Sequence, residues 1–478
     1  MDKNLEKYFL EVCGVGKDEL PQDNPYRQIG FDGEKNRLGW VKTAAFAQIK
    51  KALEEVLPSL EGKDKFIFIG MGGSINGIKP LLFLSDKKFC YTLDNLDPEA
   101  IKDLLSSLGG LDRTLVVAIS KSGTTKETQL LASAMREVFL KLPGGEDWKK
   151  NFIWLSDPEA FGKLDELGWQ GVKKVAIQFN EKSDIGGRFS SPNTLIFFLP
   201  LFLILQKSFR ELEGIYNSFL SSQEAIRSKA FRLAEEYKDK ARAYFSPMTG
   251  EKMGASFSSW IVQLFQESLG SKLEGLEVKT LPNTKDKDCF FPVELGMDFD
   301  CPIVEIMSQM YFFQVFVAYY SAFKKINFVN QEFVEKYKFQ MRKLQEQEQH
   351  TNLEVLKLED IVKSIREKIK PSQKFIEVVL YFYPEAGVIE DIRKRIENVF
   401  KDKKILVFIG SDWNHQSYQA AFGSKDTFYL LLLLPEYKLD FSFLPPEILK
   451  HNVETLKVIG EATYLTLRDK SLLLGYSN

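Results

Sequence analysis

Four hydroxyls fall within six residues of ISKSGTTKET (119–128), on Ser120, Ser122, Thr124 and Thr125, between an apolar run and a pattern of helical period. Ser and Thr cap helices, but one helix end needs fewer hydroxyls than this. A second loop of similar make-up follows another apolar run in FIFIGMGGSINGIK, where Gly70, Gly72 and Gly73 precede Ser74. Glycine lets backbone approach an anion, hydroxyls donate to it, and the free amides of a following helix add partial positive charge. Either loop alone reads equally well as a helix cap. Two of them on strands of one sheet point to phosphate binding.

Two familiar phosphate motifs do not fit the first loop. A P-loop needs G-x-x-x-x-G-K-[ST], and Gly72 and Gly77 have the glycine spacing, but Ile78-Lys79-Pro80 follow. The dinucleotide fingerprint G-x-G-x-x-G begins at Gly70-Met71-Gly72 and then meets Ile75 in the third glycine's place. Asp94, at a later strand end, keeps a dinucleotide reading open, but that reading leaves the hydroxyl loop unexplained.

Two further residues could do acid–base or charge-stabilising work. In EKSDIGGRFSSPNTL (181–195), Gly186 and Gly187 allow close backbone approach to a ligand, and Arg188 could stabilise negative charge developing on oxygen; the plain alternative is a turn with a solvated arginine. Glu267, in WIVQLFQESLGSK (260–272), ends an amphipathic helix before a glycine turn. At the edge of an apolar face such a carboxylate can serve as a general base; at an ordinary helix end it is solvated.

The elements that must position these residues are short apolar runs alternating with helical periods: KFIFIG, FCYTLDN, TLVVAIS, NFIWLS and KVAIQF early, then FIEVVLYFY, KILVFIG and TFYLLLLLPE late. This pattern predicts parallel sheets covered on both faces. Residues 1–60 read as helical, and the long polar helix pattern over 208–246 reads as a junction between two α/β units. A chain of 478 residues is long enough for two domains. With 64 basic against 66 acidic side chains, it carries no charge excess suited to coating nucleic acid. Cys13, Cys90, Cys289 and Cys301 have no metal-like spacing and read as buried thiols of a cytoplasmic protein. The apolar run TLIFFLPLFLIL (194–205) is too short to span a bilayer and reads as a buried helix.

Taken together, GMGGS, SKSGTTKET, GGRFS and QLFQESLGSK, in this order over residues 40–280, resemble the phosphoglucose isomerase family, built from two sugar-isomerase (SIS) domains. The resemblance implies an α/β chain of two SIS-type αβα sandwich domains with mainly parallel sheets, plus N-terminal helices. The expected divisions are a helical segment over 1–60, a first domain over 61–215, and a second over 216–478 with a C-terminal helical segment. It also implies that Gly72, Gly73, Ser74, Ser120, Lys121, Ser122, Thr124 and Thr125, with Gly187, hold a sugar phosphate. Arg188 would stabilise an enediolate, and Glu267 would carry the proton between C1 and C2.

INFVNQEFVEKYK (326–338) is similar to a further family motif, without its two prolines, and carries an active-site lysine onto Lys338 and a substrate-contacting glutamine onto Gln331; Lys336 is the alternative lysine. His415, in IGSDWNHQSYQAAFG after a strand, resembles the family's ring-opening histidine, whereas His350 and His451 sit in charged or polar surroundings that suit exposed side chains. The histidine follows the lysine motif here, an order seen in one branch of the family. The implied activity is interconversion of glucose 6-phosphate and fructose 6-phosphate, without metal or redox cofactor, in a homodimer whose histidine reaches into the neighbour's site. Its rivals are isomerisation of another sugar phosphate, such as mannose 6-phosphate, and a non-catalytic sugar-phosphate sensor.

Overall fold

The computed structural model describes residues 3–85, 89–250, 253, 256–270, 276–347 and 351–477. Its first sheet is built from β1 (Lys65–Ile69), β2 (Cys90–Leu93), β3 (Thr114–Ile119), β4 (Phe152–Ser156) and β5 (Lys173–Ala176), all parallel in the order β2-β1-β3-β4-β5. The side-chain alternation of a strand divides each one between two cores. Phe66 and Phe68 enter one core and Ile67 and Ile69 the other; Leu115 and Val117 part from Val116 and Ala118 in the same way. A strand buried on both faces reads as a continuous apolar run, which is why these strands are legible in sequence.

One core is closed by α1 (Lys3–Glu11), α2 (Phe46–Leu60), the fully apolar α5 (Leu195–Ile204) and α6 (Phe209–Tyr237), with α3 (Pro98–Leu108) and α4 (Lys126–Leu140) on the other face. Among the described residues no helix is long and apolar enough to cross a membrane. The four cysteines are free, half-buried thiols.

The stretch read as one second unit holds two parallel sheets. The smaller comprises β6 (Arg242–Met248), β7 (Glu277–Thr280) and β8 (Phe291–Glu294), ordered β8-β6-β7, with α7 (Ser258–Val262) between the first two strands and α8 (Pro302–Lys324) packed along α6. The larger comprises β9 (Val355–Lys357), β10 (Phe375–Leu380), β11 (Lys404–Ile409), β12 (Thr427–Leu433) and β13 (Ser471–Ser477), ordered β9-β13-β12-β10-β11. Residue 216 lies inside α6 rather than at a break, and the chain runs through a last helix, α11 (Pro446–Thr466), into the strand β13. The strands of the smaller sheet are broken by proline (Pro247, Pro292) or charge, so they lack the apolar runs that marked the others.

The two later sheets are tied by a buried ion pair, Lys279 on β7 with Glu377 on β10, each side chain 1% exposed. Trp413 Nε1 donates to the other carboxylate oxygen of Glu377 at 3.0 Å. Removing one partner of such a pair strands a charge in a dry core. Lys279→Met is therefore expected to destabilise the fold by about 3–5 kcal/mol, read as a fall in the urea midpoint. Lys279→Met/Glu377→Gln, which removes both charges and keeps an acceptor for Trp413, is expected to regain most of that loss.

Candidate functional site

The two loops marked in the sequence leave the carboxyl ends of β1 and β3, neighbours at the middle of the first sheet, where parallel sheets open their ligand crevice. Gly72 has φ +54°, and a Cβ there would lie 2.9 Å from both Gln263 Nε2 and His415 Cβ. A Cβ on Gly73 would lie 2.3 Å from the carbonyl carbon and oxygen of Gly187 and 2.6 Å from the Arg188 nitrogen. Both positions therefore require glycine, and this requirement brings the GMGGS and GGRFS segments into contact.

In the hydroxyl loop Ser120 Oγ donates to Thr125 Oγ1 at 3.1 Å, and Ser122 Oγ and Thr124 Oγ1 are 2.9 Å apart. Ser120 is buried, whereas Ser122 and Thr124 are exposed and can present their hydroxyls to an anion. Lys121 is turned elsewhere: its ammonium donates to the carbonyls of Ser183, at 3.3 Å, and Ile185, so it braces the chain leading into Gly186–Gly187. Burial draws Lys121 down to about 8, against the opposing charge of Asp157.

Arg188 is not a solvated turn residue. Its side chain is 1% exposed; Nε donates to Ser268 Oγ at 2.7 Å, Nη1 to Glu267 Oε1 at 3.0 Å, and Nη2 to the Phe328 carbonyl. Glu267 closes a π-helical turn, Gln263–Glu267, that continues α7; such turns re-aim side chains and recur at functional sites. Its carboxylate also accepts from Gln263 Nε2 at 2.9 Å and from Gln331. A cavity of about 330 Å³ opens beside this cluster, lined by Arg37, Lys121, Gly187, Arg188, Asn330 and Gln331 among others. Three larger cavities, of about 620, 640 and 660 Å³, lie away from it.

His415 lies on α10 (Asp412–Gln416), after β11. Its Nε2 is 3.0 Å from Oε1 of Glu127, at the N-terminus of α4. Burial would lower the imidazole, but the Glu127 carboxylate outweighs it and raises His415 above its ordinary value; for Glu127 burial pushes up, and His415 prevails and draws it down. The pair lies within one chain. The α10 segment is held on both sides: Asp412 accepts from Asn76 at 3.2 Å and pairs with Lys79 at 3.7 Å, while Asn414 meets Tyr381 and Thr463 at 2.9 and 2.7 Å. Asp94 is taken up by Lys79 at 2.7 Å, which gives it a structural role in place of a ribose contact. His451 is exposed, and His350 lies outside the described residues.

Lys338, on α9 (Val334–Gln347), pairs with Glu335 at 2.9 Å, and its charge lowers both Glu127 and His415. Lys336 sits over the Phe422 ring at 4.7 Å instead. Sequence reading missed Glu127 and Gln263. Glu127 looks like any acid in a helix's first turn, whereas Gln263 is one helical turn before Glu267 in QLFQE, a spacing that signals a shared face. Ser271 and Lys272, which end that motif, lie outside the described residues. Among the described residues no three His, Cys, Asp or Glu side chains converge as metal ligands would.

Residues 48–227 match the family model described as phosphoglucose isomerase. The chain is 30% identical over 268 residues to a glucose-6-phosphate isomerase of Thermus thermophilus, an alignment covering 54% of this chain and 62% of that protein. It is 28% identical over 263 residues to that of Campylobacter jejuni, covering 52% and 61%. The chain thus spans about three fifths of the length of these curated relatives. A crystal structure of a hypothetical protein from Thermus thermophilus shares the fold at a TM-score of 0.51 and 20% identity, over 71% of this chain and 94% of that one. The resemblance carried by GMGGS, SKSGTTKET and GGRFS therefore holds: residues 48–227 are a segment of the phosphoglucose isomerase family.

Proposed function

We propose that this protein is an aldose–ketose isomerase that interconverts glucose 6-phosphate and fructose 6-phosphate. The observation that carries the reading is the convergence of a buried carboxylate, Glu267, and a buried guanidinium, Arg188, on a glycine loop that also touches the His415 segment. A phosphate binder needs the loops alone; a proton-transfer enzyme needs the rest. The similarity to glucose-6-phosphate isomerases supports the choice of substrate.

In this mechanism the hydroxyls of Ser120, Ser122, Thr124 and Thr125 and the amides near Gly73 and Ser74 fix the phosphate tail. His415, as imidazolium, gives a proton to the ring oxygen while the C1 hydroxyl passes its own to water, so the ring opens to the aldehyde; Lys338 assists from the exposed side. Glu267 then removes the C2 proton and returns it to C1 while the O2 proton passes to O1, with Gln263 and Gln331 orienting the Glu267 oxygens. Negative charge gathers on the O1 and O2 oxygens of a cis-enediolate, next to the Arg188 guanidinium. Lys121 acts indirectly, by holding the backbone ahead of Gly187. A homodimer remains part of the reading, with each protomer carrying its own histidine.

A coupled assay of fructose 6-phosphate conversion without added metal tests this. Wild type is expected to turn over, and Glu267→Gln to lose roughly 10²–10⁴-fold in kcat, the usual worth of a general base, with little change in KM. No turnover of fructose 6-phosphate beside turnover of mannose 6-phosphate would move the assignment to another sugar phosphate. Binding without turnover of either would leave a sensor.

The Glu127–His415 pair has a pH signature. Because His415 is raised, its cation persists to higher pH than a free imidazole's. The pair's contribution to stability is whole below the ordinary imidazole value and is lost as pH rises through the raised one. Ring-proton NMR, with the resonance assigned by His415→Gln, is expected to show His415 titrating above a free imidazole and falling in Glu127→Gln. The alkaline limb of kcat/KM is expected to move to lower pH in the same variant.

A further inference from the structure

A cavity of about 640 Å³ lies outside the proposed catalytic machinery and shares no lining residue with the cavity beside Arg188. Its walls come from residues 13–14, 39–45, 178–185 and 192–193 and from α5 and α6, with Trp40, Phe198 and Tyr216 among the apolar surfaces. Gln178 lines it at only 3% exposure, with neither amide atom hydrogen-bonded. Burying an amide without partners costs about 1–3 kcal/mol in proteins, so this side chain is built either at a loss or for a guest. Oδ1 of Asp184, in the same wall, is likewise buried and unpartnered. Lys42 and Lys182 stand exposed on the lining, and among the ion pairs of the described residues neither takes part in one. Both act on the Cys13 thiol, which places their charges together on one side of the cavity.

These groups define an occupant. An amide with its donor and acceptor both unmet, next to a carboxylate oxygen that lacks a donor, all now covered by the cavity wall, would be met by neighbouring hydroxyls of an occupant toward which they turn. Two unpaired ammonium groups call for an anion. The volume is that of a small-molecule site. We infer that this cavity is a second small-molecule site, for a compact anion bearing neighbouring hydroxyls, such as a sugar phosphate or a polyhydroxy acid.

Its occupant would reach the candidate active site through the chain itself. Gly39 N donates to the Asp184 carbonyl at 3.1 Å, and Trp40 stacks on Phe189 with ring centres 4.9 Å apart. Asp184, Ile185, Pro192 and Asn193 bound the cavity, and the same loop carries Gly187 and Arg188. Holding 39–45 against 178–185 therefore braces the backbone that presents the guanidinium.

Hydrogen exchange on the whole protein, with ribose 5-phosphate and with gluconate at millimolar concentration, tests the site without relying on the isomerase assignment. At least one probe is expected to slow amides of 39–45 and 178–185 severalfold. Lys42→Ala/Lys182→Ala and Gln178→Leu are each expected to abolish that slowing while the unliganded exchange of the rest of the fold stays as in wild type. Gln178→Leu, which removes an unsatisfied amide, is expected not to lower Tm. A response to ribose 5-phosphate alone would assign the anion as phosphate, and to gluconate alone as carboxylate. Slowing by neither probe, slowing confined to 120–127 and 186–190, or slowing that survives in both variants would overturn the proposal.

Discussion

The buried guanidinium of Arg188 is the constraint around which the site is arranged. An arginine with 1% of its side chain exposed has lost its water and must recover those hydrogen bonds from protein. It does so from two separate pieces of chain: the Glu267 carboxylate and the adjoining Ser268 hydroxyl at the end of the π-helical turn, and the Phe328 carbonyl. Each contact fixes one segment relative to the loop after β5. The glycines follow from the same demand, because any side chain at position 73 would push that loop away.

The histidine is positioned by a different device. It belongs to the third sheet, which could slide relative to the first unless something tied them. Two polar links brace it, a buried one to the smaller sheet and a half-buried one to the first. Lys279–Glu377 joins the smaller sheet to β10 and reaches Trp413, while Lys79 with Asp94 and Asp412 joins the loop after β1 to the start of α10. Burial alone would lower Lys79, yet the two carboxylates outweigh it and raise it, whereas burial raises Asp412 against the pull of Lys79. His415 sits between anchors at Asp412, Trp413 and Asn414, so its ring approaches Glu127 from a backbone held at three consecutive residues.

The parts of this arrangement that were legible in sequence share a physical cause. The central strands of the first and third sheets are buried on both faces, so TLVVAIS or TFYLLLLLPE betrays itself as an uninterrupted apolar run. RAYFSPM and FPVE, in the three-stranded sheet, are broken by proline and charge, give no such run and went unseen. Chemistry-bearing residues were visible where the residue type is unusual for its place: hydroxyls in excess of one helix cap, or an arginine between two glycines and an apolar helix. Glu127 was invisible because a first-turn acid is what any helix prefers, and only the fold brings His415, 288 positions away, to its carboxylate.

The same distinction bears on the two lysines of SKSGTTKET and NQEFVEKYK. A lysine's type says nothing about whether its charge meets substrate or backbone, because the ammonium donates to any oxygen within reach of a flexible stem. Lys121 gives its donors to two carbonyls, and desolvation lowers it to about 8, so it suits bracing a loop better than meeting an anion. Lys338 remains partly exposed, paired with Glu335 one helical turn away, with its field falling on Glu127 and His415. A surface pair of that kind holds its partner weakly. Lys338 is therefore the lysine free to exchange Glu335 for a ligand, and the site's mobile positive charge sits on the histidine side while its fixed one, Arg188, sits beside Glu267.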